Sequence, residues 1–444
     1  ALDRVGIGGA VEFSAGLFGD HAEGGFIEVE TDQGVKGIGE VFGNPLVSRE
    51  YFRMIEPMFV GRSVFDFDHV EARVRNALYH LGVGNQLTAC LAGINVALWD
   101  AIARGFGVRV CDLIGGCGTV RIPAYASTGF FSDDPDRQLD HMLAEAADHP
   151  YAGAKIKIGR GIRDDVARVR RSREALGPDK LLMVDINGAY TADVALECAR
   201  AIEPFGIHWI EEPLPPGDLR GYAELRARSP IPLAAGEAHH TIRDFRALID
   251  GRCIDIVQPS VPGVGGLTEA KRIATLALAQ NLRLAPHVWG GGVGLATACH
   301  LIASLPASPH TEHPPYPQML EYDMSDNALR TQLLKTPLRL EAGHVLLPEG
   351  PGLGVELDPA AVERYRICSS PGGVPDFRCV GTSDRGDIDD QGYASDCGSI
   401  CRACSSGTWR SRRRPAGRGR AGHCSRCTAE RAPRRPSGSA ASQG

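Results

Sequence analysis

The chain reads AGAKIKIG at residues 152–159, LLMVDINGAY at 181–190, HWIEEP at 208–213 and PLAAGE at 232–237. Each segment is a short apolar run, about the length of a strand buried on both faces, that stops at a charged residue before Gly, Pro or Asn. In chain order the charged residues are Lys155, Lys157, Asp185, Glu211 and Glu237. We therefore expect these side chains at the ends of strands.

The three acids are evenly spaced, because 26 residues separate Asp185 from Glu211 and Glu211 from Glu237. A repeat of this length fits one strand, one helix and two loops, which is the unit of a parallel β/α array. The intervening segments 191–206 and 219–229 carry apolar residues at helical spacing. If the array closes into a barrel, the carboxyl ends of its strands meet at one mouth, where such barrels hold their chemistry.

Three carboxylates at one barrel mouth would repel one another, and a divalent cation would resolve the repulsion. The set contains neither Cys nor His, and ligation by oxygen alone favours Mg²⁺. The pattern therefore predicts a Mg²⁺ site at Asp185, Glu211 and Glu237.

The two lysines predict a general base. Strand alternation in K-I-K places Lys155 and Lys157 on one face and Ile156 on the other. Two ammonium groups side by side near a metal ion are expected to lower each other's pKa from about 10.4, and such a lysine can act as a base near neutral pH. The alternative is an edge strand with solvated lysines. It is disfavoured because no other lysine occurs between Lys36 and Lys180.

These segments resemble the enolase superfamily, and within it the mandelate racemase subgroup, from about Gly24 to Ile367. The resemblance implies an α/β fold: a modified (β/α)₈ TIM barrel with an N-terminal α+β capping domain. It implies that the three acids are the metal ligands. It also implies that Lys157 is the base on one face of the substrate and that Lys155 assists it.

Two further residues match the family. His287 in RLAPHVWGGG matches the acid/base on the opposite face of the substrate, and Glu321 in MLEYD matches the acid that hydrogen-bonds the developing enolate. The stretches PHVWGGGVG and LPEGPGLGVELD are similar to members that act on sugar acids, the galactarate cycloisomerases and the aldonate and aldarate dehydratases. The resemblance therefore implies a small acid-sugar substrate.

Ser260 departs from the family pattern, which has an Asp at this place to support the histidine. A neutral hydroxyl can orient the ring of His287 but adds no charge, so His287 is expected to be a weak base that can still serve as an acid. We therefore favour elimination started by Lys157, giving dehydration or cycloisomerisation, over racemisation or epimerisation. The muconate-lactonising branch is disfavoured because it would place a lysine here.

Other residues are predicted from their positions. Glu212 and Ser260 are expected to support the metal ligands and His287. The residues expected to contact substrate are Phe13, Phe18, His21, Asn187, His239 and Trp289. Ordinary packing of the loop Glu12–Ala22 is the alternative for the first three, and an exposed loop position is the alternative for His239.

The domains are predicted at 1–118 for the cap, 119–325 for the barrel, 326–367 for two strands that return to the cap, and 368–444 for a tail. The sequence GGFIEVET-DQG-VKGIGEV indicates a hairpin in the cap. Because the chain starts without Met, we expect it to lack the family's first strand, which would expose the edge of this hairpin.

The composition excludes some function classes. A net charge of −6 and 43% hydrophobic residues indicate neither nucleic acid nor membrane as a partner. No apolar run approaches the roughly 20 residues that span a bilayer, and no signal peptide is evident, so a cytoplasmic location is expected. A homo-oligomer is expected as well.

The tail from Cys368 is rich in Arg, Gly and Cys and has few apolar clusters. It is expected to be disordered or translated out of frame. Its cysteines leave one alternative, because C-x₂-C, 19 residues, C-x₂-C is close to zinc-ribbon spacing. That alternative would make the chain a catalytically impaired barrel with a module that binds zinc and nucleic acid. The cysteines concerned are Cys401, Cys404, Cys424 and Cys427.

Overall fold

A computed structural model describes residues 2–13, 22–81, 84, 86–131, 135–307, 316–325 and 327–366. The predicted tail with its four cysteines, and the substrate candidates Phe18 and His21, lie outside these residues. The strands are β1 Leu2–Phe13, β2 Ala22–Thr31, β3 Lys36–Val41, β4 Arg121–Thr128, β5 Gly153–Lys157, β6 Leu181–Asp185, β7 Ile207–Glu211, β8 Leu233–Ala235, β9 Ile256–Val257, β10 Arg283–Leu284, β11 Leu320–Asp323, β12 Leu340–Glu341 and β13 His344–Leu346. The helices are α1 Pro45–Phe59, α2 Phe67–Ala77, α3 Gln86–Phe106, α4 Val110–Leu113, α5 Pro135–Asp148, α6 Ile162–Leu176, α7 Ala192–Ile202, α8 Leu219–Arg226, α9 Ile242–Asp250, α10 Leu267–Ala279, α11 Gly292–Ala303, α12 Ala328–Thr331 and α13 Pro359–Arg364.

An antiparallel sheet in the order β1-β2-β3 begins the fold. The predicted hairpin is present, because β2 and β3 pair from Gly25 opposite Val41 to Glu30 opposite Lys36. Strand β1 pairs with the other edge of β2. The expectation of a missing strand and an exposed hairpin edge is therefore wrong, because β1 makes the hydrogen bonds on that side.

Two glycines of β3 allow α3 to lie directly on this sheet. A Cβ atom on Gly39 would come 2.0 Å from the carbonyl oxygen of Gly93, and one on Gly37 would come 2.0 Å from that of Ala97. Side chains larger than hydrogen are therefore excluded on this face. Among the described helices, α3 alone is long and apolar enough to span a membrane, and most of it is buried inside the fold.

Eight parallel strands, β4 to β11, form the second part of the fold, with α5 to α11 as the connections. Each strand from β4 to β10 pairs with the next, and β11 returns to pair with β4. The strands share an inner core on the side away from the helices. Its buried members are Tyr125, Met183, Trp209, Ala234, Ile256, Ala285 and Met319.

The register of the strands determines which charged residues lie next to one another. Lys157 lies opposite Asp185, which lies opposite Glu211. Glu237 and His287 follow the ends of β8 and β10. Because the strands are parallel, these residues share the carboxyl-terminal edge of the sheet.

The chain returns to the cap after the barrel by a loop. The hairpin β12–β13 pairs with β4, where Val345 lies opposite Ile122. After it, the carbonyl of Gly352 accepts a hydrogen bond from the Val110 amide at 2.9 Å. The predicted return to the cap is therefore made by the residues after the two strands, not by the strands themselves.

Asp100 on α3 joins three segments. Its carboxylate accepts hydrogen bonds from the amide of Ile38 at 2.9 Å, the amide of Leu353 at 2.7 Å and the guanidinium of Arg104 at 2.9 Å. Burial raises the pKa of Asp100, although Arg104 and the two amides oppose the shift. The carboxylate thus supplies acceptors that the backbone of β3 and of the C-terminal loop would otherwise lack.

We expect Asp100→Asn to lower the free energy of unfolding by about 2 kcal/mol, because the amide has one acceptor oxygen for partners that need two. Urea titration followed by circular dichroism measures the change. The control is Asp250→Asn on the surface of α9, whose exposed pair with Arg246 predicts a change within about 0.5 kcal/mol. Equal losses in the two variants would contradict the assignment.

Candidate active site

Three carboxylates converge at the mouth of the barrel. Asp185 and Glu211 end β6 and β7, and Glu237 follows β8 by two residues. Each offers an oxygen atom within 4.8 Å of the others. Asp185 and Glu211 are buried, and the side chain of Glu237 is 24% exposed, so the cluster opens to solvent on the side of β8.

Lys155 lies fully buried beneath this cluster. Its ammonium group donates to Glu211, lies 2.7 Å from the carboxylate of Glu321 on β11, and lies 3.7 Å from Asp185. Lys155 therefore connects strands β7 and β11 across the barrel. Within the described structure its side chain is closed to solvent.

Lys157 is nearer the mouth, one strand alternation further along β5. Its Nζ atom lies 2.5 Å from Asp185 Oδ2 and donates to Asn187 Oδ1 at 2.7 Å. The side-chain Nδ2 of Asn187 in turn donates to Glu237 Oε1 at 3.4 Å. The predicted base is thus held between the first acid of the cluster and a neutral oxygen.

Without a bound ion, the pKa values of both lysines are raised. Burial lowers the pKa of Lys157 more than any other single influence, but Asp185, Glu237 and Glu211 together outweigh burial and the repulsion from Lys155. The pKa of Lys155 is raised well above its usual range, because Glu211 and Glu321 outweigh its burial. The lowered pKa values were predicted for a site that holds a metal ion, and for that site they stay a prediction.

The negative charge of the clustered carboxylates exceeds the positive charge of the two lysines. Burial raises the pKa of Glu211 to about 8 despite its contact with Lys155. Burial, with repulsion from Glu237 and Asp185, raises the pKa of Glu212 to about 9. The site therefore favours a further positive charge, and an all-oxygen set at these separations fits a hard divalent cation.

His287 lies at the other end of the cluster from Lys157. Its Nε2 atom is 3.3 Å from Glu237 Oε2, and its Nδ1 atom is buried without a hydrogen-bond partner among the described residues. Ser260 is also buried, but no hydrogen bond joins its hydroxyl to the ring in this part of the structure. The expectation that Ser260 orients His287 through its hydroxyl is therefore wrong here.

Glu321 is an acceptor. Burial opposes its ionisation, but Lys155 and His287 lower its pKa to about 2. Its second oxygen accepts the amide of Val288 at 3.0 Å, in the loop that carries His287. An ionised carboxylate cannot donate, so a hydrogen bond from Glu321 to an enolate would require a proton from a neighbour such as Lys155.

Two residues after the acid-bearing strands have left-handed backbones. Asn187 has φ of 47° and Glu212 has φ of 40°. Asn tolerates this region, but a Glu there is unusual and indicates a conformation imposed by its surroundings. The backbone of Glu212 is held by its amide, which donates to Ala234, and by its carbonyl, which accepts from Gly188. Both residues lie beside the cluster: the side-chain amide of Asn187 donates to Glu237, and the carboxylate of Glu212 is repelled by Glu237 and Asp185.

Two family models match the chain. The Mandelate racemase / muconate lactonizing enzyme N-terminal domain matches residues 20–115, and the Enolase C-terminal domain-like model matches residues 138–361. The chain belongs to the mandelate racemase / muconate lactonizing enzyme family. D-galactarolactone cycloisomerase of Agrobacterium fabrum is 35% identical to it over 343 residues, which cover 77% of this chain and 90% of the relative.

Solved structures of the enolase superfamily share the fold. The 3,6-anhydro-D-galactonate cycloisomerase from Zobellia galactanivorans has a TM-score of 0.73 at 32% identity and covers 82% of this chain and 99% of that one. The L-talarate dehydratase from Polaromonas sp. JS666, solved with Mg and L-glucarate, has a TM-score of 0.71 at 27% identity and covers 82% and 97%.

These matches confirm the predicted fold class, a modified (β/α)₈ barrel with an N-terminal capping domain. They also confirm an enzyme of the lyase or isomerase type, since the relatives are dehydratases and cycloisomerases. Racemisation is the less supported alternative.

The other residues predicted to contact substrate lie on β1, in the loops that follow β8 and β10, or outside the described residues. Phe13 ends β1, but its side chain lies outside the described residues, as do Phe18 and His21. His239 is buried, and its ring centroid lies 5.9 Å from that of Phe245 on α9. Trp289 is half-buried and lines a small cavity together with His287.

Two residues at the metal cluster were not predicted. Trp209 Nε1 and Gln258 Nε2 both donate to Glu211 Oε2, at 3.1 Å and 2.7 Å. Strand alternation could have indicated Trp209, which is two residues before Glu211 and therefore faces the same way. Gln258 directly follows β9, two strands away, and its contact depends on the closed sheet. Both oxygens of Glu211 thus have donors, because Lys155 donates to Oε1.

We expect Gln258→Leu to lower the affinity for Mg²⁺ at least about tenfold, because Glu211 would lose a donor that fixes its orientation. Isothermal titration calorimetry on the purified protein measures the affinity. Gln280→Leu, at the exposed end of α10, is the control and is expected to bind like the original protein. Unchanged affinity in Gln258→Leu would rule out this role.

Proposed function

We propose that the protein removes the proton α to the carboxylate of a sugar acid in a Mg²⁺-dependent step, followed by dehydration or cycloisomerisation. The observation that carries the proposal is the order of groups across the mouth. Lys157 contacts Asp185 at one end of the carboxylate cluster, and His287 contacts Glu237 at the other. A substrate bound at the cluster would therefore have an amine on one side and an imidazole on the other.

Asp185, Glu211 and Glu237 would hold the ion. When bound, Mg²⁺ would accept the substrate carboxylate and make the adjacent C–H more acidic. The relatives support the substrate class, because D-galactarolactone cycloisomerase, arabinonate dehydratase and D-galactonate dehydratase all take their names from sugar acids or their lactones. A cytoplasmic location, a homo-oligomer and the domain bounds stay predictions.

Lys157 would take the α proton on Nζ. Its pKa is raised against burial by Asp185, Glu237 and Glu211, and the attraction of these carboxylates for Nζ would weaken when they hold a cation instead. Asn187 Oδ1 accepts one of the protons of Nζ and so fixes the direction of the amine. The Nζ atom of Lys157 is thus held beside Asp185, within hydrogen-bond distance of the carboxylate cluster, which is the position that a general base needs.

Lys155 would balance the charge that develops on the substrate. Its ammonium group is fixed between Glu211 and Glu321 in a buried position, where a fixed charge acts more strongly than in water. Glu321 would share one of these protons and would also hold the loop of His287 through the amide of Val288. Lys155 would thus act on the charge at the cluster, and Glu321 would act on the loop that carries His287.

His287 would give a proton to the leaving β-hydroxyl or ring oxygen. Its Nδ1 atom has no carboxylate partner in the described chain, and Ser260 adds no charge, so nothing on that side strengthens the ring as a base. Its Nε2 atom, 3.3 Å from Glu237, is the one that faces the cluster and would carry the proton. Racemisation or epimerisation would need His287 to act from the second face and is the alternative.

A screen of sugar acids in D₂O with Mg²⁺ tests the proposal by mass spectrometry. We expect at least one acid to lose water or to rearrange with uptake of solvent deuterium, and we expect chelator to abolish both. Uptake at the α-carbon without loss of water would indicate epimerisation instead. Absence of exchange and turnover with every acid, while Mg²⁺ binds, would refute the proposal.

The two proposed proton carriers can be separated by mutation. Lys157→Ala is expected to lower α-proton exchange by about 10² to 10⁴-fold, whereas His287→Asn should keep exchange and lose product formation. Lys335→Ala and His344→Ala are the matched controls, on the surface and in β13. Normal exchange in Lys157→Ala would exclude Lys157 as the base.

A further inference from the structure

Glu40 is a buried carboxylate that the proposed reaction does not use. It lies near the end of β3 in the cap and is 7% exposed. Its oxygens accept hydrogen bonds from the backbone amides of Gly291 at 2.6 Å and Gly294 at 2.7 Å, at the start of α11 in the barrel. These amides are its hydrogen-bond partners in the described part of the chain, and no cation pairs with it there.

Helix α11 lacks an N-terminal cap of its own. Its N-cap residue is Gly291, which has no side chain, and its first turn contains no acid. The first amides of a helix need acceptors, and a negative charge at this end is favourable. Glu40 supplies both from the other domain.

The glycines of the VWGGGVG sequence make room for this carboxylate. A Cβ atom on Gly290 would lie 2.6 Å from Glu40 Oε1, and Cβ atoms on Gly291 and Gly294 would lie 2.9 Å and 3.2 Å from Oε2. Side chains at these positions would therefore collide with Glu40 or press against it. The absence of side chains on these glycines thus leaves the space that the Glu40 carboxylate occupies, although about 250 residues separate the two segments in the chain.

The residues that Glu40 holds are the end of the loop that carries His287. The loop is fixed at two other places: Glu321 accepts the amide of Val288, and Asn327 Nδ2 donates to the carbonyl of Gly290 at 2.9 Å. Glu40 also lines the small cavity that His287 and Trp289 line. The loop is thus anchored after His287 by two parts of the fold: by the barrel at Val288, and by the cap at Gly291 and Gly294.

We propose that Glu40 is a positioning residue, which sets the place of the His287 imidazole by anchoring Gly291 and Gly294 from the cap. The proposal rests on the proposed function in so far as His287 is taken to deliver the proton to the leaving group. It makes the second half of the reaction depend on the docking of the cap, while the proton removal at Lys157 does not.

Glu40→Gln tests this, because the amide keeps the size of the side chain but has a single acceptor oxygen and turns donors toward one of the two N–H groups. Asp100→Asn is the matched control. It makes the same change in another buried carboxylate, which accepts the amides of Ile38 on β3 and Leu353 in the C-terminal loop, neither of which belongs to the His287 loop.

The first measurement is hydrogen exchange by mass spectrometry on the full chain. We expect the amides of 288–294 to exchange about tenfold faster or more in Glu40→Gln, and Asp100→Asn to leave them unchanged relative to the rest of α11. Unchanged exchange in Glu40→Gln, or equal acceleration of this segment in both variants, would overturn the proposal. This measurement does not require a substrate.

The second measurement is the ratio of product formation to α-proton exchange in D₂O. We expect Glu40→Gln to lower this ratio about 10-fold to 100-fold, since a small displacement of an acid slows its step, while Asp100→Asn keeps the original ratio. A merely structural role would lower both rates together, and that result would overturn the proposal. Should the unmodified protein show neither rate with any sugar acid, the proposed function fails, and the exchange of 288–294 alone decides whether Glu40 positions the loop.

Discussion

The constraint that shapes this site is the crowding of carboxylates around two lysines in a buried barrel mouth. Asp185, Glu211 and Glu237 come within 4.8 Å, and Glu212 and Glu321 lie beside them. Such a group is costly without compensating positive charge. The lysines supply part of it, and the raised pKa values of Glu211 and Glu212 show that the balance is incomplete.

The same crowding explains the division of labour between the lysines. Lys155 is enclosed between Glu211 and Glu321, so its proton is held whichever other groups bind at the mouth. Lys157 is held chiefly by Asp185, which also belongs to the cluster that fits a cation. Competition for that one carboxylate can release Lys157 while Lys155 keeps its charge. Two residues apart on one strand, the lysines are thus suited to different tasks.

The sequence was sufficient for what depends on local spacing. The period of two in K-I-K and the 26-residue repeat of the acids follow from strand and β/α geometry, and the register of the sheet agrees with both. Without a bound ion the lysine pKa values are raised by carboxylates on other strands, which the sequence did not reveal because the effect depends on distances between strands. Gln258 and Glu40 were missed for the same reason: each acts on a residue far away in the chain. The first strand was missed because its absence was inferred from the lack of an initial Met, which carries no information about strand pairing.

His287 shows how a loop can replace a charged partner. Where the family has an Asp, Ser260 makes no hydrogen bond to the ring within the described structure, and Nδ1 stays unpaired. The ring is held through its backbone instead, with Glu321 at Val288 directly after it and Glu40 at Gly291 further along the loop. Backbone anchoring fixes the position of the imidazole without a carboxylate on Nδ1, while Glu237 lies 3.3 Å from Nε2. An imidazole held in this way stands where the proposed elimination needs an acid, whereas a racemisation with two bases would need support on Nδ1 that Ser260 does not give.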